Sequence, residues 1–364
     1  MASLVPVRTI LNRKCCYKEC FMISSSAVSR QSRRSFFKMT AAGAAMAIPG
    51  FALMNGTEIA FAGPKPVLND SDAAVLQFLA AAELVECDLW GQYCELATNN
   101  PGYRHALQKI DESLPDYICG DFEDECSHAT FINAFLVAAG KTPINLDPFR
   151  TLPSVPVEGA QNIGRLTNLK NLTVDTSYYE RYRQAGNPDF GDTFPQLVNI
   201  VNQPTVPTSE SIRGGELRSI AQTAAFHFAA IEQGGSSLYN SLITKVTNLD
   251  VVAILASIGP TEVYHFAVFQ TALEGIRKLE DDDGPSFPDI RENPNRGDIM
   301  PEPCTFLDKS LPVCSVIRPR NTNTAGAIAV ATGLVKSGLF LGQSQAFFDA
   351  VVALATAADA ALRS

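Results

Sequence analysis

From Asp72 to Leu96 the apolar side chains return at intervals of three and four: Val75, Leu76, Leu79, Ala82, Val85, Leu89, Trp90 and Tyr93. That period lays one apolar stripe along an α-helix of several turns. Asp70 or Ser71 stands where an N-cap belongs, and "NNPG" at 99–102 supplies a stop. A second helical segment runs from about Tyr117 or Asp121 to Ala139 and ends at Gly140 and Pro143. Between the two, "YRHALQKID" predicts a short helical connection. A third segment covers 214–233 and continues into "GGSSLYNSLITKV". A fourth covers 251–279, disturbed near Gly259 and Pro260, because proline removes a backbone donor and crowds the preceding turn. The chain ends in Ala-rich helical sequence at about 325–362. Lys336, Gln343, Gln345 and Asp349 interrupt it, which argues against a membrane span.

Two stretches show no period. Residues 141–213 are rich in Pro, Gly, Asn and Thr, and residues 280–322 are acidic and Pro-rich. The first carries Phe149, Tyr178, Tyr179, Tyr182, Phe190 and Phe194, too many aromatics for a solvated tether, so an ordered excursion is expected. No convincing run of alternating strands is present. The expected class is therefore all-α. Four helices pair first with second and third with fourth across one long crossover, with a large irregular insert and an extra C-terminal helix. Residues 63–364 read as a single domain.

Composition agrees with a globular chain: 46% hydrophobic and 18% charged over 364 residues. The formal net charge of −9 conceals a division. Residues 1–62 hold eight Lys/Arg against two Asp/Glu, and the remainder holds 21 against 36. A body that acidic argues against nucleic acid or an anionic membrane surface as its partner.

The basic end has the order of an export signal. "SRRSFFK" at 32–38 precedes "MTAAGAAMAIPGFALM", and "AFAG" at 60–63 offers small residues for cleavage. The apolar run is short for an anchor and is broken by Gly and Pro. Arg33 and Arg34, with Phe36 and Lys38 behind them, resemble the twin-arginine export signal. The resemblance implies a periplasmic or otherwise exported protein that crosses already folded and keeps no stable membrane span after cleavage. Met22 opens a more ordinary signal, so residues 1–21, with Cys15, Cys16 and Cys20, read as a start-site extension. Of the six cysteines beyond, Cys304 and Cys314 can close a small loop in an oxidising compartment. Cys87, Cys94 and Cys126 fall in helical patterns and read most simply as small buried apolar residues. No C-x-x-C pair supports a zinc ribbon or a thioredoxin-type site.

The chemistry lies in the helices. The chain has four histidines, and two of them stand three residues after a glutamate: Glu125/His128 in "EDECSHATF" and Glu262/His265 in "TEVYHFAVF". Residues three apart on a helix share a face, so each pair can aim a carboxylate and an imidazole at one ion. The other two helices must then each add a glutamate. The third offers Glu232 among Phe226, Phe228, Ala229 and Ile231, where a charge needs a reason. The first offers Glu83 or Glu86. Seven residues, two turns, separate Glu232 from Tyr239, Glu86 from Tyr93 and Glu83 from Trp90, so each aromatic is expected beneath its carboxylate. Four carboxylates and two imidazoles suit two divalent ions. His227 is off the face of Glu232 and reads as a core histidine, and His105 as loop or surface. Asp121, Glu123 and Asp124 read as the charged first turn of the second helix. "EDDDG" at 280–284 reads as a solvated loop, because the EF-hand spacing is missing.

These paired motifs resemble the ferritin-like di-metal carboxylate proteins, the group of bacterioferritin, rubrerythrin and manganese catalase. The closest likeness is to exported ferritin-like domain proteins related to plant desiccation-related proteins. It rests on "DAAVLQFLAAAELVECDLW", "EDECSHATFINAFL", "AAIEQGGSSLY" and "EVYHFAVFQTAL", and covers roughly residues 70–140 and 214–275. The resemblance favours Glu83 as the first-helix ligand. It implies two ions of iron or manganese, with Glu125 and Glu262 bridging and His128 and His265 each capping one ion. Glu83 and Glu232 are then terminal ligands, and Tyr93 and Tyr239 tune the site. It also implies oxygen or peroxide chemistry in stress protection. The alternatives are a metal-binding or storage protein without turnover and a structural scaffold. The large excursions argue against a closed ferritin shell and leave a smaller homo-oligomer open.

Overall fold

The computed structural model describes residues 65–181, 194–280, 284–294, 300–316 and 326–362. The export signal with Arg33 and Arg34, the first three cysteines, Tyr182, Phe190 and part of the 280–322 stretch lie outside them.

Four long helices carry the architecture: α1 (Asp70–Asn99), α3 (Leu114–Ala138), α5 (Gly214–Leu242) and α6 (Leu249–Ala272). Two of them, α1 and α6, begin at a side-chain cap. Asn69 caps α1, its side chain accepting from the Asp72 N–H at 2.7 Å, so the cap lies one residue before those the sequence suggested. The short α2 (Pro101–Gln108) is capped by Asn100 and starts with proline, whose missing donor costs nothing there. Helix α3 starts at Leu114, earlier than expected, with Pro115 in its first turn. Asn248 caps α6, accepting from the N–H groups of Asp250 and Val251. Pro260 sits inside α6 without ending it. At the adjacent Gly259 a Cβ would stand 2.8 Å from the Tyr239 Cβ, so the glycine lets α5 and α6 approach closely.

Helix α1 packs chiefly on α3, and α5 on α6. Helix α5 runs unbroken through the Gly234–Gly235 pair to Leu242, so Glu232 is inside a helix and not at its end. Trp90, Tyr93, Phe226, Phe228, Phe266 and Phe269 are fully buried around the middle of these helices. Disulfides Cys87–Cys126 and Cys94–Cys119 staple α1 to α3. Cys87, Cys94 and Cys126 are thus cross-linked, contrary to the expectation of plain apolar filling, and Cys119 is the fourth partner. Cys304 and Cys314 remain thiols, facing each other across an isolated antiparallel bridge.

The 141–213 excursion, where described, is tied down by buried polar anchors. Asp88 of α1 accepts from the N–H groups of Leu166 and Thr167, both at 3.0 Å, and from Arg150 at 2.5 Å. Arg165 pairs with the buried Glu95. The excursion forms two small antiparallel pairs: β1 (Leu152–Pro153) with β2 (Gly164–Arg165), and β3 (Leu172–Val174) with β4 (Ile200–Gln203). A single turn, α4 (Tyr178–Arg181), completes it, the Tyr178 hydroxyl donating to the Phe226 carbonyl. The C-terminal sequence forms two helices, α7 (Ala327–Lys336) and α8 (Gln345–Asp359). Asp359 accepts from the first free N–H groups of α7, at Ala327 and Ile328. By length and composition alone Leu249–Gly275 is apolar enough to cross a membrane, but its inward face carries Glu262 and His265.

Candidate metal centre

Halfway along the long helices the apolar interior is interrupted by acids. Glu83 of α1, Glu125 of α3, Glu232 of α5 and Glu262 of α6 are all fully buried, and Asp121 is 3% exposed. Burying carboxylates without partners is costly, so their arrangement needs a counter-charge.

They form two adjoining groups. In one, Glu83, Glu125, His128 and Glu262 bring ligand atoms together; in the other, Asp121, Glu125, Glu232 and His265 do so. His128 Nδ1 is 3.3 Å from Glu83 Oε2, 3.1 Å from Glu125 Oε2 and 3.6 Å from Glu262 Oε1. His265 Nδ1 is 2.7 Å from Asp121 Oδ1, 3.0 Å from Glu125 Oε1 and 3.4 Å from Glu232 Oε2. Glu125 therefore gives one oxygen to each group, as a bridging carboxylate does. The two imidazole centroids are 6.4 Å apart.

Hydrogen bonds do not satisfy this centre. Glu83 Oε2, Glu125 Oε1, Glu232 Oε2, both Glu262 oxygens, both Asp121 oxygens and His265 Nδ1 are buried without hydrogen-bond partners. Nδ1 of His265 and Oδ1 of Asp121 lie close without the geometry of a bond, which is how two groups sit when both point at a third position. Charge tells the same story. Burial, then the charge of neighbouring carboxylates, pushes Glu86, Glu125 and Glu262 well above the usual carboxylate range. Burial and the charge of Glu232 do the same to Asp121, against the pull of His265. For Glu83, burial is outweighed by the nearness of His128 and Glu125 and by the Tyr239 hydroxyl, and its pKa falls. Both histidines are raised against the effect of burial, His128 by Glu83, and His265 by Asp121, Asp124, Glu125 and Glu232. The centre is short of positive charge, and divalent cations would supply it. Carboxylate and imidazole donors fit such ions.

The structure brings together six of the residues singled out in the sequence: Glu83, Glu125, His128, Glu232, Glu262 and His265. Glu86 is half-buried and close enough to feel Glu125, Glu83, Glu232 and Asp121, but it belongs to neither group. Glu262 stands with the His128 group alone. Gly235 makes its room: a Cβ there would collide with the Glu262 carboxylate.

The aromatics act across the helices rather than beneath their own carboxylates. Tyr239, two turns after Glu232, donates to Glu83. Trp90, two turns after Glu83, donates from Nε1 to Glu232 Oε1 at 3.1 Å. The exchange follows from the antiparallel run of α1 and α5. The Tyr93 hydroxyl instead bonds Thr205 at 2.7 Å and His227 Nδ1 at 2.8 Å. His227 is thus a core histidine with one nitrogen partnered, and His105 is exposed on α2.

Asp121 departs from its expected place. Because α3 begins at Leu114, Asp121 is not first-turn charge but an inward-facing acid one turn before Glu125. Its spacing of four from Glu125 was the available signal. Asp124 also leaves its expected role: its Oδ2 lies 3.2 Å from His265 Nε2 and orients that ring.

Comparison with protein-family models, with curated proteins and with solved structures gives no match.

Proposed function

We propose that this chain is an exported ferritin-like protein, a four-helix bundle with one long crossover, that holds two iron or manganese ions for oxygen or peroxide chemistry. The observation that carries the reading is the set of buried, unpartnered ligand atoms contributed by all four long helices to two groups that share Glu125. Antiparallel pairs α1/α3 and α5/α6, joined by the 141–213 excursion, give the bundle order. The two disulfides support an oxidising compartment.

In this reading Glu125 would serve both ions and His128 and His265 would each serve one, while Glu83 and Glu232 are held in place by Tyr239 and Trp90. Redox ions held there would supply electrons for reducing dioxygen or peroxide. The protein's part is to fix the donors, exclude water with the surrounding aromatics and hold protons on its surplus carboxylates. His128 is the most exposed of the grouped ligands, at 12%, so small molecules would enter beside it.

Full burial of the four glutamates equally favours a second reading, metal binding without turnover, in storage or as a structural core. Metal analysis of protein purified without chelators tests the first step. Two iron or manganese ions per chain, lost in a His128→Ala/His265→Ala variant, are expected; a folded wild-type protein without bound metal after metal-replete growth would refute the reading. Peroxide and oxygen consumption by the loaded protein then separates catalysis from storage.

A further inference from the structure

The two halves of the centre match at the motif positions and differ around them. Glu125/His128 answers to Glu262/His265, and Glu83 with Trp90 answers to Glu232 with Tyr239. One turn before the motif glutamate, however, α3 has Asp121 and α6 has Ile258, both buried. Immediately before it, α3 has Asp124 and α6 has Thr261, whose hydroxyl is bonded to the Ser257 carbonyl. Three residues after the single glutamate, α1 has Glu86 and α5 has Gly235. Every extra acid belongs to the α1/α3 half, so the pseudo-symmetry of the centre is broken in one direction.

The extra acids do not fall evenly on the two positions. Asp121 stands with the His265 group and not with the His128 group. Both its oxygens are buried and unpartnered, and Oδ1 is 2.7 Å from His265 Nδ1. Asp124 fixes His265 through its far nitrogen, which aims Nδ1 inward and strengthens it as a donor. Position 261, the counterpart of 124, offers His128 no carboxylate. We propose that Asp121 is a ligand of the ion at the His265 position and makes the two positions unequal, the His265 position filling first and binding more tightly. The inference rests on the two-ion reading and deepens it. Unequal positions would let one ion stay in place while the other, on the more exposed His128 side, exchanges.

Mn(II) is the probe. Metal-free mature protein is titrated with Mn(II) by calorimetry, and crystals grown at one equivalent are examined by anomalous scattering at the manganese edge. Wild-type protein should bind in two steps separated by at least about tenfold in affinity. The first ion should appear beside His265 with Asp121 in its coordination sphere. Asp121→Asn, which keeps the shape of the side chain, should weaken the tighter step about 10- to 100-fold and leave the other within about threefold. Two equal steps, a first ion beside His128, or an unaltered Asp121→Asn titration would overturn the inequality while leaving the two-ion reading intact. No Mn(II) binding by the wild type would remove both. The anomalous map of wild-type crystals decides the matter even where the variant folds poorly.

Discussion

Trp90 and Tyr239 show how much depends on single donors in a dry interior. Each satisfies one oxygen of a glutamate on the opposite helix and leaves the other oxygen free. His227 is the contrasting case, a buried titratable group outside the centre. Burial pushes its pKa down to about 3, and its one partner is the Tyr93 hydroxyl. In the unfolded chain a histidine titrates near 6.5. Below that pH the unfolded chain takes a proton that the folded chain refuses, so stability falls with acid from about 6.5 towards 3, by about 1.4 kcal/mol per pH unit. His227→Gln removes that contribution. It should cost about 1–2 kcal/mol at pH 7.5 through the altered hydrogen bond. Between pH 7.5 and pH 5.0 the wild type should lose about 2 kcal/mol more than the variant. Urea unfolding of both proteins at the two pH values measures this, and a gap that does not change with pH would contradict it. At this scale the glutamates and histidines were legible because Glu-x-x-His declares a shared helix face. Asp121 was not, because its meaning turns on where α3 begins, and Leu114-Pro115 gives a weaker start signal than the acidic run after it.

The helices themselves were legible from their apolar period, with ends moved by a few residues where a cap decided the matter. What the period could not reveal is how helices cross. Cys87 and Cys94 are seven apart on α1, and Cys119 and Cys126 are seven apart on α3. On two antiparallel helices that spacing aligns 87 with 126 and 94 with 119, the pairing found. The inference needs both helices and their direction at once, so one cysteine at a time reads as filler. The two staples differ in their neighbours. Cys126 adjoins Glu125, whereas Cys94 and Cys119 lie about two turns further along. Cys94→Ser/Cys119→Ser opens a loop of 25 residues' separation and should cost about 3 kcal/mol in chemical denaturation. Metal stoichiometry should be unchanged, because the inner staple still fixes α1 against α3 at the centre. Loss of bound metal from this variant would mean that the outer staple, too, sets the geometry of the ligands.

At the scale of the whole molecule, different bonds hold the two helix pairs. Covalent staples join α1 to α3, but no disulfide among the described residues joins that pair to α5 and α6. Across the divide run the aromatic core, the Trp90 and Tyr239 hydrogen bonds, and a centre where carboxylates from both pairs face one another. In the two-ion reading the metal is what turns that facing set from repulsion into attachment, and Glu125 ties both ions to the stapled pair. Metal removal should then loosen one pair from the other rather than melt each helix alone. An ion present at a thousand times its dissociation constant contributes about 4 kcal/mol to the folded state, which in a domain of this size corresponds to a fall of about 6 °C in Tm for each ion stripped. Calorimetry with and without chelator, followed by restoration with Mn(II), measures it. Hydrogen exchange adds the location: protection should drop first in α5 and α6, which lack staples, and later in α1 and α3. Equal midpoints with and without metal would show that the buried acids are held by protons alone, and that the four helices stand together without ions.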